Sequence, residues 1–518
     1  VNGAESLVRT LVSGDVTTCF VNPGTSEMYF VQALDKVHEM RCVLCLFENV
    51  ATGAADGFGR MADRPASTLL HLGPGLANGW SNLHNAKRAQ SPIVNIVGDH
   101  AVRHLQHDAP LTADIAGLAR GVSAWQRSIA GVETIGEDTA AAVREARRAP
   151  GRIATLIAPA DATWSDGATV GSIGALPQPG RVGADAIAGA ARLVREARPA
   201  MLLLTGRALR ADALALAGRI AASFPDVEIA AQTSNGRVER GIGRVPIGRI
   251  PYPVQPALAR LAHLRSIILV GAADPVAFFA YPGKPSRLAP PGCAIHRLSA
   301  IDEDPVHALE WLADELGAKS PANLRGGPAV RPVVAPGPLT PDSLGVCLAA
   351  TLQEGAIVVE ESVSVGRGFY AALESAPAHD WLQVTGGSIG DGLPLAVGAA
   401  VACPDRRVLC LEGDGSAMYT NQALWTMARE GLDSTVVILN NRGYAILHGE
   451  LNAIVGGKAG PRAARMFDID GPEIDWCAMA RASGVPAVRA ADTTAFVDAL
   501  AAANATPGPH LIEAMVAR

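Results

Sequence analysis

Two short segments of this sequence hold residues of the right types, at the right separation, to bind a hard cation together with an anionic ligand. Gly413-Asp414-Gly415-Ser416 follows an apolar run at 408–411, and Asn440-Asn441 follows a second apolar run at 435–439, with a helical pattern through Glu430 between them. Read as neighbouring parallel strands, the two runs present Asp414 and Asn441 at their carboxyl ends, where open α/β sheets hold ligands. A carboxylate and an amide oxygen suit Mg²⁺, which takes a few protein oxygens plus phosphate oxygens. Gly413 and Gly415 let the backbone approach closely, and a helix expected to begin near Ala417 would aim free N–H groups at a diphosphate. A bare Gly-Asp-Gly is commonly a surface turn; the following strand and Asn-Asn make this one a candidate site.

The elements that must position these residues recur along all 518 residues. Apolar runs at 17–21, 43–47, 67–71 and 93–97, each joined to the next by a helical stretch, imply a parallel sheet with helices on both faces. A Pro-rich linker at 175–180 leads to a second block with strands expected at 201–204 and 267–270. A second linker at 326–341 leads to a third, with strands at 357–359, 407–411, 435–439 and 510–514. The fold class is α/β, as three consecutive doubly wound parallel-sheet domains at 1–174, 181–322 and 340–518.

Charged residues make up 18% and the formal net charge is -6, which leaves no basic surface for a nucleic-acid backbone. No run of about 18 apolar residues is free of charge, Gly or Pro, so no membrane span is expected. The eight cysteines are scattered, and only Cys42 and Cys45 are close, at an odd offset that would point them to opposite faces of a strand. The segment starting Val1-Asn2-Gly3 has no basic region followed by an apolar one, so a reduced, cytoplasmic protein is expected.

With Gly413-Asp414-Gly415-Ser416 through Asn440-Asn441, the chain resembles the thiamine-diphosphate-dependent enzymes of the acetolactate synthase, pyruvate decarboxylase and benzoylformate decarboxylase superfamily. The three blocks match that family's pyrimidine-binding, central and diphosphate-binding domains in order and size. The resemblance implies that Asp414, the Asn441 side chain and the Gly443 carbonyl hold Mg²⁺ against the diphosphate. It implies decarboxylation of a 2-oxo acid to an enamine, followed by carboligation or aldehyde release. It also implies a homodimer or homotetramer with active sites shared between subunits. The alternatives are a benzoylformate-type decarboxylase and a non-catalytic regulatory paralogue.

Further positions carry the resemblance. Glu48, after the run at 43–47 and before a small-residue helix, matches the family's acid that favours the cofactor's imino tautomer; a helix N-terminal Glu placed by the dipole is its plainer reading. Gly387, Ser388 and Ile389 fall in a glycine-rich segment where a bulky apolar residue bends the cofactor. His71 falls where benzoylformate decarboxylases keep an active-site His, able to relay protons. His107 begins a family His pair whose second member is Asp108 here, so a loop role is expected. Thr25 takes the place of a hydroxyl facing the substrate carboxylate, or else caps a helix. Tyr444 precedes a helix on which Ile446 and Glu450 share a face at i, i+4 and border the acyl pocket. A carboxylate rather than an aromatic ring at Glu450 favours a small or uncharged donor. The central block shows neither a Gly-x-Gly-x-x-Gly unit nor the segment that grips flavin, so FAD is not expected.

Overall fold

The chain is built around three sheets, described for residues 1–517 in a computed structural model. The first contains β1 (Thr18–Asn22), β2 (Arg41–Leu44), β3 (Ala66–Leu70), β4 (Ile93–Asp99), β5 (Trp125–Ser128) and β6 (Ile153–Pro159), all parallel, in the order β2-β1-β3-β4-β6-β5. The second contains β7 (Ala200–Leu204), β8 (Val227–Ala231), β10 (Gly248–Arg249), β11 (Ser266–Val270) and β12 (Ala294–Ser299), in the order β10-β8-β7-β11-β12. The third contains β13 (Ile357–Glu361), β14 (His379–Gln383), β15 (Val408–Gly413), β16 (Ser434–Asn440), β17 (Ala487–Ala490) and β18 (His510–Met515), and also β9 (Val238–Arg240), in the order β17-β18-β16-β15-β13-β14-β9. The fold class expected from the alternation of apolar runs and helical stretches is the one observed.

Several details differ from expectation. β2 ends at Leu44, because Leu46 is exposed and Phe47 is already the extended residue capping the helix Glu48–Ala62. β5 and β17 are edge strands with exposed residues, so they lack the apolar run that marks a strand buried on both faces. β9 falls within the central stretch of sequence but pairs antiparallel with β14 of the third sheet, His379 opposite Arg240.

The first and third sheets meet through two helices, Glu48–Ala62 and Gly392–Ala402, whose apolar residues Val50, Ala54, Phe58, Leu393 and Val397 belong to one core. Their backbones touch. A Cβ on Gly57 would lie 2.2 Å from the Leu395 carbonyl oxygen, and one on Gly398 would lie 1.9 Å from that of Ala54. Helical glycine costs about 1 kcal/mol each relative to alanine, a cost offset here by close interhelical packing.

The β9–β14 seam carries a pH-sensitive group. His379 is buried, and its Nδ1 lies 2.7 Å from the Pro377 carbonyl oxygen. Burial, reinforced by Arg240, pulls its pKa from 6.5 down to about 4. The unfolded chain therefore binds a proton that the folded chain refuses. The stability His379 confers is whole above about pH 6.5 and falls as the pH drops to about 4, by up to about 3 kcal/mol. Urea unfolding at about pH 7.5 and about pH 4.5 should show wild type losing about 2 kcal/mol more on acidification than His379→Gln.

Candidate active site

β15 and β16 lie side by side, Gly413 opposite Leu439, so their carboxyl ends open onto one place. Asp414 begins a one-turn helix, Asp414–Ala417, so the helix expected to begin near Ala417 starts at Asp414 instead and is short, and the next starts at Ala423. The Asp414 carboxylate accepts the Gly415 N–H at 2.9 Å through Oδ1 and the Arg442 N–H at 2.7 Å through Oδ2. Arg442 sits between Asn441 and Gly443, so this second bond fixes the turn that carries them against Asp414. Asn441 Oδ1 in turn accepts the Gly443 N–H at 3.2 Å. The turn is pinned from behind, where the Ile469 N–H donates to the Arg442 carbonyl and the Tyr444 N–H to the Phe467 carbonyl. Burial pushes the Asp414 carboxyl up to about 6 despite its two backbone donors. A buried carboxylate beside an amide oxygen and a backbone turn is a donor set that fits Mg²⁺. Ser416 is buried beneath it, and the Tyr444 ring lies where a Cβ on Gly415 would be 2.3 Å from its Cε1.

The segment 384–391, containing Gly387, Ser388 and Ile389, has no regular structure and is held by others. Glu361, at the end of β13, accepts three consecutive N–H groups, from Gly390 at 2.8 Å, Asp391 at 2.9 Å and Gly392 at 2.6 Å. The helix Leu72–Ala89 clamps the segment from the other side. Asn82 donates to the Gly390 carbonyl at 3.1 Å, and Asn85 donates to the Ser388 carbonyl at 2.7 Å. Gly390 has φ +92°, and a Cβ there would lie 2.5 Å from that of Tyr419. The sequence reading missed Glu361; an acid at the carboxyl end of a buried strand, as at Glu48, was the available signal.

Glu48 is the first residue of its helix, 9% exposed, and its Oε2 accepts from Asn78 Nδ2 at 3.1 Å. His71 precedes the helix Leu72–Ala89. Both flank Gly75, where a Cβ would lie 3.4 Å from Glu48 Oε1 and 3.5 Å from His71 Cβ. Thr25 is exposed at the start of the turn Thr25–Glu27, and the capping position belongs to Gly24, so no cap occupies its hydroxyl. His107 ends an exposed turn, Val102–His107, its ring in series with those of His104 and His100.

Tyr444 caps the helix Ala445–Val455, which places Ile446 and Glu450, both half-buried, on one side. The sequence reading did not foresee what faces them. The central block sends Phe278 onto Gly387, within 2.6 Å of a Cβ there, and Tyr281 toward Glu450, its hydroxyl 3.5 Å from Oε1. Tyr252 packs on Phe278, and burial together with Tyr281 and Glu450 pushes its phenol up to about 12. The ring that is missing at position 450 is thus present beside it, on another block.

Residues 1–118 match the model for the thiamine pyrophosphate enzyme N-terminal TPP binding domain, and residues 367–514 that for the C-terminal TPP binding domain. The chain is 48% identical over 516 residues to the "Putative acetolactate synthase large subunit IlvX" of Mycobacterium tuberculosis, covering 99% of each. It is 28% identical to a benzoylformate decarboxylase of Pseudomonas aeruginosa, covering 96% of each. The fold also matches a solved structure of a thiamine diphosphate-dependent 4-hydroxybenzoylformate decarboxylase from Rhodococcus jostii, with TM-score 0.84, 24% identity and coverage of 100% and 99%. The chain belongs to the thiamine pyrophosphate enzymes. It is a thiamine-diphosphate-dependent enzyme, and that cofactor is the anionic ligand its third block is built to receive.

The loop geometry yields a test. Glu361→Ala would orphan three buried N–H groups and should lower stability by about 3 kcal/mol. It should also weaken thiamine diphosphate binding at least ~10-fold, measured by calorimetry beside urea unfolding. Unchanged affinity would mean that the 384–391 segment keeps its shape without the carboxylate.

Proposed function

We propose that this enzyme decarboxylates a 2-oxo acid and either ligates the acyl fragment to a second carbonyl, as an acetolactate synthase does, or releases it as an aldehyde. The observation that carries the reading is the Arg442 N–H bond to Asp414, which gathers the carboxylate, the Asn441 amide and the Gly443 backbone into one cation site. Asp414, Asn441 and the Gly443 carbonyl hold Mg²⁺, while Gly413, Gly415 and Ser416 border the diphosphate. Gly387, Ser388, Ile389 and Tyr444 border the rings. When bound, thiamine diphosphate supplies a thiazolium carbon that attacks the 2-oxo carbonyl and takes up the electrons left by CO₂ loss. Glu48, kept from water and oriented by Asn78, holds a proton at its carboxyl against the aminopyrimidine. His71 moves protons on the substrate side, Thr25 offers its hydroxyl to the substrate carboxylate, and Ile446 and Glu450 line the acyl pocket.

A benzoylformate-type reading is favoured by one observation, the rings of Phe278 and Tyr281 beside Gly387 and Glu450, which suit an aromatic donor. The three domains are taken as 1–174, 181–322 and 340–518, with β9 crossing from the second to the third. No helix among the described residues is long and apolar enough to cross a membrane, and the eight cysteines are free, which supports a reducing, cytoplasmic setting. A homodimer or homotetramer with shared active sites is supported by the helix Ala445–Val455, in which no residue is buried and Ile454 is 80% exposed.

Asp414→Ala should abolish Mg²⁺-dependent binding of thiamine diphosphate in calorimetry, and undiminished affinity would overturn the cation site. Glu48→Gln should keep that affinity but slow exchange of the cofactor's C2 proton at least ~100-fold by NMR.

The shared-site reading has its own check. Mixing differently tagged Glu48→Gln and Asp414→Ala chains should restore activity, because a mixed dimer has one site carrying neither defect. Inactive mixed dimers would exclude sites shared between subunits.

A further inference from the structure

The turn Thr25–Glu27 carries a carboxylate that has no place in the function as proposed so far. Glu27 is 4% exposed, and its carboxylate is held between its own turn and His71. Its Oε2 accepts the Gly24 N–H at 2.7 Å and lies 2.8 Å from His71 Nδ1. Its Oε1 accepts the Ser26 hydroxyl at 2.7 Å, and that hydroxyl oxygen lies 3.3 Å from the same His71 nitrogen. The surroundings leave no slack for another arrangement. A Cβ on Gly98 would lie 1.8 Å from Glu27 Oε1, and a Cβ on Gly24 would lie 2.2 Å from His71 Cγ and Nδ1.

An ionised carboxylate can only accept hydrogen bonds, so the nitrogen that faces it must carry the hydrogen. For a neutral imidazole this leaves the lone pair on Nε2. That nitrogen has no hydrogen-bond partner among the described residues and, unlike the buried Glu27, belongs to a side chain that is 25% exposed. The ring lies against Gly24, while His71 Cβ and Glu48 Oε1 both lie close to Gly75, so the two side chains start from one neighbourhood.

We infer that Glu27 is a positioning residue, which holds His71 as its Nδ1–H tautomer so that Nε2 takes up and returns the protons exchanged with the substrate. The inference rests on the proposed role of His71. One proton moves at Nε2 in each direction, the imidazole passing between its neutral and protonated forms, while Glu27 stays ionised and keeps the Nδ1 hydrogen. The Ser26 hydroxyl occupies the other oxygen of Glu27, which prevents the carboxylate from turning away.

The test reads the tautomer directly, in full-length protein labelled with ¹⁵N at histidine, with the His71 signals identified by their loss in His71→Gln. Wild type should show Nδ1 protonated and Nε2 bare when neutral. Glu27→Ala should move His71 to the Nε2–H form or to a mixture, and Glu27→Gln, whose amide oxygen can still accept, should lie between. Glu27→Ala should also lower kcat by about 100-fold with KM and cofactor affinity within about twofold, and Glu27→Gln should recover part of that loss. A bare Nδ1 in wild type, or an unchanged tautomer in Glu27→Ala, would overturn the inference whatever the activity. If instead the tautomer responds but His71→Ala turns over normally, the pairing stands and the proposed catalytic role of His71 falls. The wild-type spectrum decides the point even if Glu27→Ala fails to fold.

Discussion

The buried Arg60 side chain ties together all three parts of the chain. It lies in the helix Glu48–Ala62, and its guanidinium makes a fork with Asp56 one turn earlier, at 2.7 and 2.5 Å. It also donates to the Gln383 carbonyl at the end of β14, at 2.6 Å, and to the Gly236 carbonyl of the central block, at 3.3 Å. Asp391 lies 3.7 Å away, and Ser91 completes the shell of Asp56. A charge this deeply buried is tolerated only when its donors are satisfied, and here the partners come from three domains. The position of the helix that begins with Glu48 is therefore tied to the position of β14 and of the segment that follows it. Breaking the fork would leave an uncompensated charge at the junction of the three blocks, a larger perturbation than the loss of one contact. The close backbone packing at Gly57 and Gly398 requires the same registration, so charge and shape specify one arrangement.

Beneath the glycine-rich segment, the same junction gathers carboxyl groups in place of apolar residues. Glu361 is pushed up to about 7 by burial, although three backbone donors pull against it, and Glu412 and Asp391 are raised further by burial and by their acidic neighbours. A set of acids this close cannot all be ionised at neutral pH. Glu412, protonated, then acts as a donor toward Glu361, whose carboxylate accepts the N–H groups of Gly390, Asp391 and Gly392. These N–H groups lead into the helix Gly392–Ala402, whose first N–H groups have no partner within the helix. A carboxylate at the end of β13 is what makes that backbone path stable.

What the sequence disclosed, and what it did not, follows from the range of the forces involved. The strands buried on both faces were legible because they read as short apolar runs, as at 267–270 and 435–439. The edge strands β5 and β17 were not, since one side of each meets solvent and their composition is mixed. Asp414 and Asn441 could be paired from chain order alone because adjacent parallel strands bring their ends together. Glu27, Glu361 and the Phe278–Tyr281 loop were missed because each works on a residue distant in sequence. The partner of Glu27 is 44 positions away, and that of Tyr281 is 169. For Glu27 and Tyr281 no local pattern marks such a contact.

That separation matters most for donor choice. Read alone, Glu450 is a bare charge that repels anionic or greasy tails. In the fold its oxygen faces a phenol from the central block, and Phe278 and Tyr252 form a ring cluster beside it. Aromatic faces stand beside the carboxylate, and the acid is an acceptor partly engaged by Tyr281. The residues proposed to hold the cofactor, by contrast, sit at the ends of β13, β15 and β16, on their buried core. The two halves of the site are thus held by different means, one by the core of a sheet and the other by a loop and a helix with no buried residue. The loop at 276–283 faces Glu450 through Tyr281 and the segment at 384–391 through Phe278, so position 450 cannot be interpreted apart from the central block that faces it.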